Sequence, residues 1–546
     1  MKGLNIYITK AGDTLRIISQ NKKVKLDILI SLNPHIMGPD LDLTGKHVYL
    51  PELHSSRQIV TGIPTCPYIP SPEIGGQWIP LTSLEKMEQT DYDVLIVGTG
   101  AGGGAALWRL MQQLGNSGKR IGIVERGGLL LPTHALNIAT MDIDRSWEYK
   151  ESVAKHPSNY LSLQVYALGG RTLFWSLTSL RMPVSQIARW PVQIKEMDIY
   201  YSIAEKVMNV TQNLTREASL TQILLNRLQK NGYPDAMDEP VAVNLEPVNR
   251  YGVINSNPAF SSIIFLAQAL NYPFDLAIHA RVVEVLTENN RTLGVKVMTP
   301  DKKSHFLKAK NVVLSASTFG TTQILLNSGF QGRAIGHYLT NHSRVVATGK
   351  VSRNEFPEVL GPLRILVPGK EDRPYQIQAR GPGNFSWVQH LKQPLQEEWD
   401  ISFFASGEVE TRFDNQVTLD PIKRDEYGVP EIKIDFSYSE RDEAVIQQMA
   451  EGVKLAALAM NTPLVSSNSQ SVYVMPPGQE IHEMGTCRMG EDPSTSATDR
   501  YGQIHGVKGL YVADNSVIPI SGTANPTLTT VALAIRTADY IAQQLK

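Results

Sequence analysis

The feature that most constrains the fold of this chain is a glycine-rich turn between a buried strand and a helix. Residues 92–97 contain the apolar run Val94-Leu95-Ile96-Val97, which predicts a strand that is buried on both faces. The motif G-x-G-x-x-G follows directly, at Gly98, Gly100 and Gly103, and leads into an apolar helical pattern. A second buried strand is predicted at 121–124. This order predicts an α/β domain built on a parallel sheet.

Each part of the turn has a physical role in a Rossmann-type domain that binds a dinucleotide. Gly98 permits the tight turn, Gly100 lets the backbone approach a pyrophosphate, and Gly103 lets the helix pack closely on the strand. The helix N-terminus offers unpaired N–H groups to the phosphates. Glu125 ends the second strand 27 residues after Gly98, where its carboxylate can accept a hydrogen bond from a ribose hydroxyl. The motif fits both FAD and NAD, whereas the acidic residue disfavours NADP.

Composition and charge exclude several classes of protein. The net charge is −1, which does not indicate nucleic acid or an anionic membrane as a partner. Two cysteines, Cys66 and Cys487, cannot make a disulfide framework or a four-cysteine zinc site, and no H-E-x-x-H motif is present, so we expect no metal. The chain has neither an apolar segment of signal-peptide type nor one of membrane-spanning length, so a cytoplasmic protein without a membrane partner is expected.

Residues 1–51 form a separate unit, followed by a proline-rich linker or arm at 52–90. The predicted order is strand, helix, helix, strand, with the second helix ending at Asn33-Pro34. This βααβ pattern resembles a LysM module, on Tyr7, Gly12-Asp13-Thr14-Leu15, Leu29, Leu32-Asn33-Pro34, Leu43, Gly45 and Leu50-Pro51. The resemblance implies binding of N-acetylglucosamine polymers. A unit that only packs on the enzyme or on a partner subunit is the alternative.

Three further blocks resemble the glucose-methanol-choline (GMC) oxidoreductases, and most closely their pyranose and glycoside oxidases. They are Gly169-Gly170-Arg171-Thr172-Leu173-Phe174-Trp175, then Ala280-Arg281-Val282-Val283 with residues 311–317, and a C-terminal region that contains His482, Asp514 and Ala524-Asn525-Pro526-Thr527. The resemblance implies a discontinuous FAD-binding domain at 91–190, 255–345 and 475–546. It implies an α+β substrate-binding domain on a mostly antiparallel sheet at 191–254 and 346–474.

The same resemblance implies where the cofactor lies. The loop with Gly169, Gly170, Thr172 and Trp175 would run along the isoalloxazine ring, Val283 would touch the adenine, Asp514 would bind the ribityl side, and Asn525, Pro526 and Thr527 would lie near the flavin carbonyl. Some relatives carry a flavin-linked histidine where this chain has Phe174, so the FAD is expected to be non-covalent.

His482 and Asn525 are the predicted catalytic residues. Their separation of 43 residues fits the catalytic pair of the family, in which a histidine is followed by a histidine or an asparagine. A neutral imidazole can take the hydroxyl proton while flavin N5 takes the hydride, and Asn525 can hold the substrate oxygen. His505 is expected at the surface in a turn. His342 is expected to be structural or to lie near the FAD phosphates.

The predicted reaction is oxidation of a secondary hydroxyl, at C2 or C3, of a sugar or glycoside. An amino-sugar and a non-sugar alcohol are alternative substrates. Two alternatives belong to other classes, namely a glycan-binding LysM protein with an inert flavin fold and an NAD-dependent dehydrogenase. The sequence leaves open whether oxygen or another acceptor reoxidises the flavin, and whether the chain forms a homo-oligomer.

Overall fold

The computed structural model of the chain describes residues 4–51, 79–138, 148–153, 159–245, 258–330, 332–356, 362–381, 397–467 and 469–546, with the backbone alone for 4–6. The chain divides into two compact units, residues 1–77 and 78–546. Residues 52–78 of the predicted linker lie outside the described residues, and so does Cys66.

The first unit has the predicted strand, helix, helix, strand order. Its elements are Leu4–Ile8, Leu15–Lys22, Leu26–Leu32 and His47–Pro51, and the two strands pair antiparallel. Thr14 caps the first helix by accepting a hydrogen bond from the backbone N–H of Ile17. The fully buried Asn33 donates to the carbonyls of Leu29 and Tyr49, so it ties the second helix to the second strand.

A five-stranded parallel sheet forms the centre of the second unit. Its strands lie in the order Asp275–Ala277, Ile121–Val124, Val94–Val97, Val312–Leu314 and Leu510–Val512. The helix Ala101–Leu114 follows the glycine motif and packs against the C-terminal helix Thr527–Leu545, and Arg109 forms an ion pair with Asp539 between them. This architecture confirms the predicted α/β fold.

A six-stranded antiparallel sheet forms the second layer. Its strands lie in the order Tyr473–Val474, Ser343–Ser352, Glu398–Gly407, Tyr375–Gly381, Leu363–Val367 and Met237–Asp238. Side chains alternate between its two faces because successive residues of a strand point to opposite sides. One face packs on the helix Glu440–Ala459, which begins with a capping box between Ser439 and Asp442. The strand Ser343–Ser352 crosses the domain boundary predicted at residue 345.

The described residues of the second unit also contain shorter elements. The remaining helices are Leu84–Glu88, Val184–Ile187, Ile194–Met208, Ser219–Lys230, Ile263–Ala269 and Ser317–Asn327, with short 3₁₀ turns at Ala135–Asn137, Gly170–Leu173, Asn213–Thr215, Arg353–Glu355 and Asn515–Val517. The remaining strands are Glu151–Ser152 with Leu163–Gln164, Val210–Thr211 with Val241–Ala242, Arg281–Glu288 with Arg291–Met298 and Ser304–Lys308, and Gln416–Arg424 with Pro430–Asp435.

The last residues of the predicted linker form a packed helix rather than an extended arm. Residues 84–88 form a helix in which Met87 is fully buried, and Glu88 accepts a hydrogen bond from the backbone N–H of Phe306. The packing of Leu84 and Met87 into the main core therefore places this helix with the second unit. No helix within the described ranges is long and apolar enough to cross a membrane.

Candidate active site

A cavity of about 850 Å³ lies between the parallel sheet and the antiparallel sheet. It begins at the carboxyl ends of the parallel strands, where ligands bind in open α/β sheets. The predicted site residues that line it are Gly98, Gly100, Glu125, Gly170, Thr172, Trp175, His482, Asp514, Asn525, Pro526 and Thr527. Gly103, Gly169 and Val283 lie outside its lining.

The glycine motif has the geometry that a dinucleotide requires. Gly98 adopts a φ of +96°, and a Cβ there would lie 2.4 Å from the carbonyl oxygen of Ser315. A Cβ on Gly103 would lie 1.9 Å from the carbonyl oxygen of Gly98, so this glycine serves close packing of helix on strand. A Cβ on Gly100 would meet no protein atom within 4 Å, which leaves open space on the cavity side. The motif therefore fits a pyrophosphate at Gly100.

Glu125 is buried at the end of its strand and faces the same part of the cavity. One carboxylate oxygen accepts hydrogen bonds from the backbone N–H and the hydroxyl of Thr99, at 3.0 and 2.6 Å, and the other accepts from the backbone N–H of Gly127. Burial raises the pKa of this carboxyl group. A carboxylate has about four acceptor positions, so it can still accept from a ribose hydroxyl.

Arg281 gives an independent test of the fit to a cofactor at this end. Its guanidinium lines the cavity, is almost fully buried, and forms an ion pair with Asp425. Its Nη1 is buried without a hydrogen-bond partner in the part of the chain that the structure describes. Because a buried donor without an acceptor is costly, this atom matches the acceptor groups of an adenylate.

Val283, which was predicted to touch the adenine, lies outside the lining of the cavity. Ala280, Arg281 and Val282 line the cavity, whereas the carbonyl oxygen of Val283 accepts a hydrogen bond from Asn327 outside it.

The paired glycines form a left-handed turn beside the glycine motif. Gly169 and Gly170 have φ values of +92° and +54°. The backbone N–H of Gly169 donates to the hydroxyl of Thr99, so Gly169 supports the cavity wall from behind. The Thr172 hydroxyl donates to the carbonyl of Gly169, and the Trp175 indole N–H donates to the carbonyl of Phe260. Both side chains thus have protein partners and present their remaining atoms to the cavity.

Asp514 and the start of the C-terminal helix line the adjoining wall. The two carboxylate oxygens of Asp514 accept from the hydroxyls of Thr321 and Ser516, and burial raises the pKa of the group. The helix begins at Thr527 after Pro526, and both residues face the cavity. Its positive dipole end therefore points toward a bound ligand.

His482 and Asn525 meet at the side of the cavity nearest the antiparallel sheet. Asn525 Nδ2 lies 3.3 Å from His482 Nε2. The backbone N–H of His482 donates to Asn341, which holds the histidine loop in place. The pairing predicted from their spacing is therefore present in the fold. His505 lies elsewhere and is half-buried against Ser496, at 2.9 Å from its hydroxyl.

His342 contacts His482 directly. The two Nδ1 atoms lie 2.9 Å apart, and Nε2 of His342 lies 3.2 Å from the carbonyl oxygen of Ser521. Since a carbonyl only accepts, His342 carries its proton on Nε2 and accepts from His482 at Nδ1. His482 then carries its proton on Nδ1, so its Nε2 is unprotonated and accepts a hydrogen bond from Asn525.

Two glutamines orient the amide of Asn525. Gln376 and Gln378 each donate from Nε2 to its Oδ1, at 2.8 and 3.0 Å. The Oε1 of Gln378 in turn accepts from Arg380, which fixes the amide of Gln378. Asn525 must therefore point its NH₂ group toward His482. One directional chain of hydrogen bonds runs from Arg380 through Asn525 and His482 to His342.

The electrostatics of the pair favour a neutral base. Burial, together with His342 and the charges of Arg344, Arg171 and Arg380, holds the pKa of His482 well below its usual value of 6.5. Burial also lowers the pKa of His342 to about 4. Both imidazoles are therefore neutral at physiological pH, and His482 can accept a proton.

His342, Gln376, Gln378 and Thr99 were not identified from the sequence as parts of the site. His342 was expected to be structural or to lie near the phosphates; it is buried outside the cavity lining and contacts the predicted base. An asparagine whose amide must be oriented could have suggested polar partners on neighbouring strands. Their positions depend on strand register, which the residue pattern alone does not determine.

Comparison with known proteins gives the family. Two models of the GMC oxidoreductase family match residues 92–344 and 411–534. The chain is 31% identical to a C-glycoside 3-oxidase of Arthrobacter globiformis over 290 residues, which cover 50% of this chain and 54% of that protein. It is 24% identical to a 2-methyl-1,2-propanediol dehydrogenase of Mycolicibacterium austroafricanum over 554 residues, covering 83% and 95%. A formate oxidase of Aspergillus oryzae has the same fold, with a TM-score of 0.62 at 15% identity, covering 83% of this chain and 98% of that one.

Proposed function

Because this chain belongs to the GMC oxidoreductase family and is an FAD-dependent alcohol oxidoreductase, we propose that it oxidises a secondary hydroxyl, at C2 or C3, of a sugar or glycoside to the ketone. The observation that carries the proposal is the pair of His482 and Asn525, with an unprotonated imidazole nitrogen facing the cavity. Similarity to the C-glycoside 3-oxidase supports a sugar ring. Similarity to the diol dehydrogenase keeps a non-sugar alcohol as the alternative.

In the proposed reaction the chain binds the hydroxyl, orients it and removes its proton. The bound FAD supplies the acceptor for the hydride that leaves the carbon. The substrate hydroxyl takes the place of the Asn525 amide at Nε2 of His482 and passes its proton to that nitrogen, while Asn525 donates an N–H to the substrate oxygen. The Nδ1–H of His482 stays on His342 throughout, so the ring keeps its orientation as it becomes charged.

The charge around the base bears on the choice of substrate. Arg171, Arg344 and Arg380 all disfavour positive charge on His482, and all three line the cavity. The same field stabilises the negative charge that develops on the substrate oxygen. Each of these arginines also forms an ion pair with a glutamate, Glu483, Glu480 or Glu239, so the field is partly neutralised and an amino-sugar stays an alternative substrate.

Further parts of the proposal concern the cofactor and the first unit. Phe174 stacks on Tyr149 with ring centroids 5.6 Å apart, and a phenyl ring offers no atom for a bond to flavin. Non-covalent FAD is therefore part of the proposal. The βααβ unit at the N-terminus stays a predicted LysM-like module, and its binding of glycan and the cytoplasmic location of the chain stay predictions.

The test is to replace His482 by alanine and to follow the flavin spectrum anaerobically as sugars, glycosides and simple alcohols are added. We expect the variant to keep its FAD and to lose reduction by substrate about 10²- to 10⁴-fold, because the general base is gone. His505→Ala is the matched control and should reduce like the wild type. Acid precipitation should release the flavin from both proteins. Reduction of His482→Ala at the wild-type rate would contradict the proposed base.

A further inference from the structure

One face of the antiparallel sheet forms the floor of the cavity on the substrate side. The side chains on this floor change from polar on an inner strand to apolar at the sheet edge. The inner strand Tyr375–Gly381 presents Gln376, Gln378 and Arg380. Gln376 and Gln378 hold Asn525, so the reacting hydroxyl lies at this polar end. The opposite end is the edge strand Tyr473–Val474 with its flanking residues.

Residues that oppose one another on neighbouring strands form rows across the sheet. Each row that starts at the polar strand ends in an apolar side chain at the sheet edge. Tyr473 pairs with Val346, Val346 pairs with Phe404, and Phe404 pairs with Gln378. Directly opposed residues of antiparallel strands share a face, so these four side chains form one row across the floor. Val465 and Met475 end the rows on either side, because their backbone N–H groups bond to the carbonyls of Thr348 and Arg344.

Three of these edge residues, Val465, Tyr473 and Met475, line the cavity. Val465 and Tyr473 remain 40% and 37% exposed, a large exposure for apolar side chains beside a polar site. Adjacent strands lie about 4.8 Å apart, so the row from Tyr473 to Gln378 spans about 14 Å. This length accommodates a pyranose at the polar end and a second ring at the edge.

Tyr473 is held in one orientation. Its hydroxyl shares one proton between the backbone carbonyls of Ser467 and Gln470, each at 3.0 Å. Both partners belong to the turn that precedes the edge strand. The ring is therefore fixed at its outer end, and it stands at the cavity wall as a preformed surface for a planar group.

We propose that Tyr473, Val465 and Met475 form a subsite for a planar, apolar aglycone, so that the preferred substrate is an aryl glycoside rather than a free sugar. The proposal rests on the proposed function, since the sugar ring must occupy the polar end of the floor. The apolar edge discriminates between glycosides that share the same sugar. Tyr473 is in this sense a specificity-determining residue, and it does not touch the reacting atoms.

The test compares phenyl β-D-glucoside, cellobiose and glucose in anaerobic flavin reduction, which separates apparent dissociation constant from limiting rate. In Tyr473→Ala the apparent dissociation constant for phenyl glucoside should rise about 3- to 10-fold, because one aromatic contact is lost. The limiting rate of flavin reduction and the apparent dissociation constant for glucose should stay unchanged. Tyr473→Phe keeps the ring and should stay closer to the wild type. Val474→Ala is the matched control, since Val474 pairs with Val345 on the other face of the same strand.

Equal losses of Tyr473→Ala on glucose and phenyl glucoside would overturn the proposal, as would no loss on either. A loss larger on cellobiose than on phenyl glucoside would assign the subsite to a second sugar ring and overturn the apolar aglycone. If no sugar or glycoside reduces the wild-type flavin, the proposed function fails separately. Phenol then tests the subsite alone, because in calorimetric titration it should bind the wild type and not Tyr473→Ala.

Discussion

Replacement of His342 by leucine tests whether the hydrogen bond from His482 to His342 determines which nitrogen of His482 carries the proton. In the wild type, the Nδ1–H of His482 donates to Nδ1 of His342, and His342 is 1% exposed. Leucine occupies a similar buried volume and accepts no hydrogen bond. The Nδ1–H of His482 therefore loses its acceptor, or the imidazole takes another orientation or tautomer.

The expected size of the effect follows from this single contact. A buried donor left without an acceptor costs about 1–3 kcal/mol. If that cost falls on the reactive arrangement of His482, flavin reduction slows about 5- to 150-fold, since about 1.4 kcal/mol corresponds to a factor of ten. The affinity for FAD should not change, because His342 does not line the cavity. His342→Asn carries an amide oxygen near the place of Nδ1 and should recover much of the rate.

The pH profile distinguishes this role from simple destabilisation. Glu480 Oε1 lies 3.7 Å from Nδ1 of His482. Once His342 is gone, this carboxylate can pair with a protonated His482, which raises the pKa of the imidazole. The acid limb of the reduction rate should then move to higher pH in His342→Leu and remain near the wild-type position in His342→Asn. A leucine variant with the wild-type rate and profile would refute the assigned hydrogen-bond chain.

Two further predictions concern stability and cofactor binding. The fold should lose stability as pH falls below 6.5, because the unfolded chain takes up a proton that His342, with a pKa of about 4, does not take up in the folded state; the difference is roughly 3 kcal/mol at pH 4. Urea titrations at pH 7 and pH 4.5 should show a smaller loss for His342→Leu, and an equal loss would contradict this assignment. Gly103→Ala should weaken FAD binding by about 1–3 kcal/mol in fluorescence titrations, since its Cβ would lie 1.9 Å from the carbonyl oxygen of Gly98. Gly38→Ala, whose nearest neighbour would be at 3.6 Å, is the control and should leave FAD binding unchanged.

The parts of the site that could be predicted from the sequence are those in which chemistry and spacing are local. The glycine motif requires a strand before it and a helix after it within about 30 residues, and both are present around Gly98. The pairing of His482 with Asn525 followed from a separation of 43 residues within one family pattern. The predicted βααβ order of the first unit is confirmed because its turns and helix ends have clear residue signals.

The parts that could not be predicted depend on contacts between distant segments. His342 meets His482 across 140 residues, and no residue pattern connects them. The glutamines at 376 and 378 orient Asn525 only because their strand lies third in from the sheet edge. The helix Leu84–Glu88 was assigned to a linker because it is short and follows many prolines, and its burial is provided by the second unit.

On the antiparallel sheet, the residues that contact substrate and the residues that stabilise the fold lie on opposite faces. Substrate specificity and stability, which are usually coupled in protein engineering, can therefore be changed separately. Thr348, Gln378 and Ser402 face the cavity, whereas their strand neighbours Ile377 and Phe403 are buried in the core beneath the helix Glu440–Ala459. A library restricted to the cavity-facing positions should therefore change which substrates are accepted at little cost in folding. The same number of changes one residue further along each strand would mostly yield unfolded protein, because those side chains form the core.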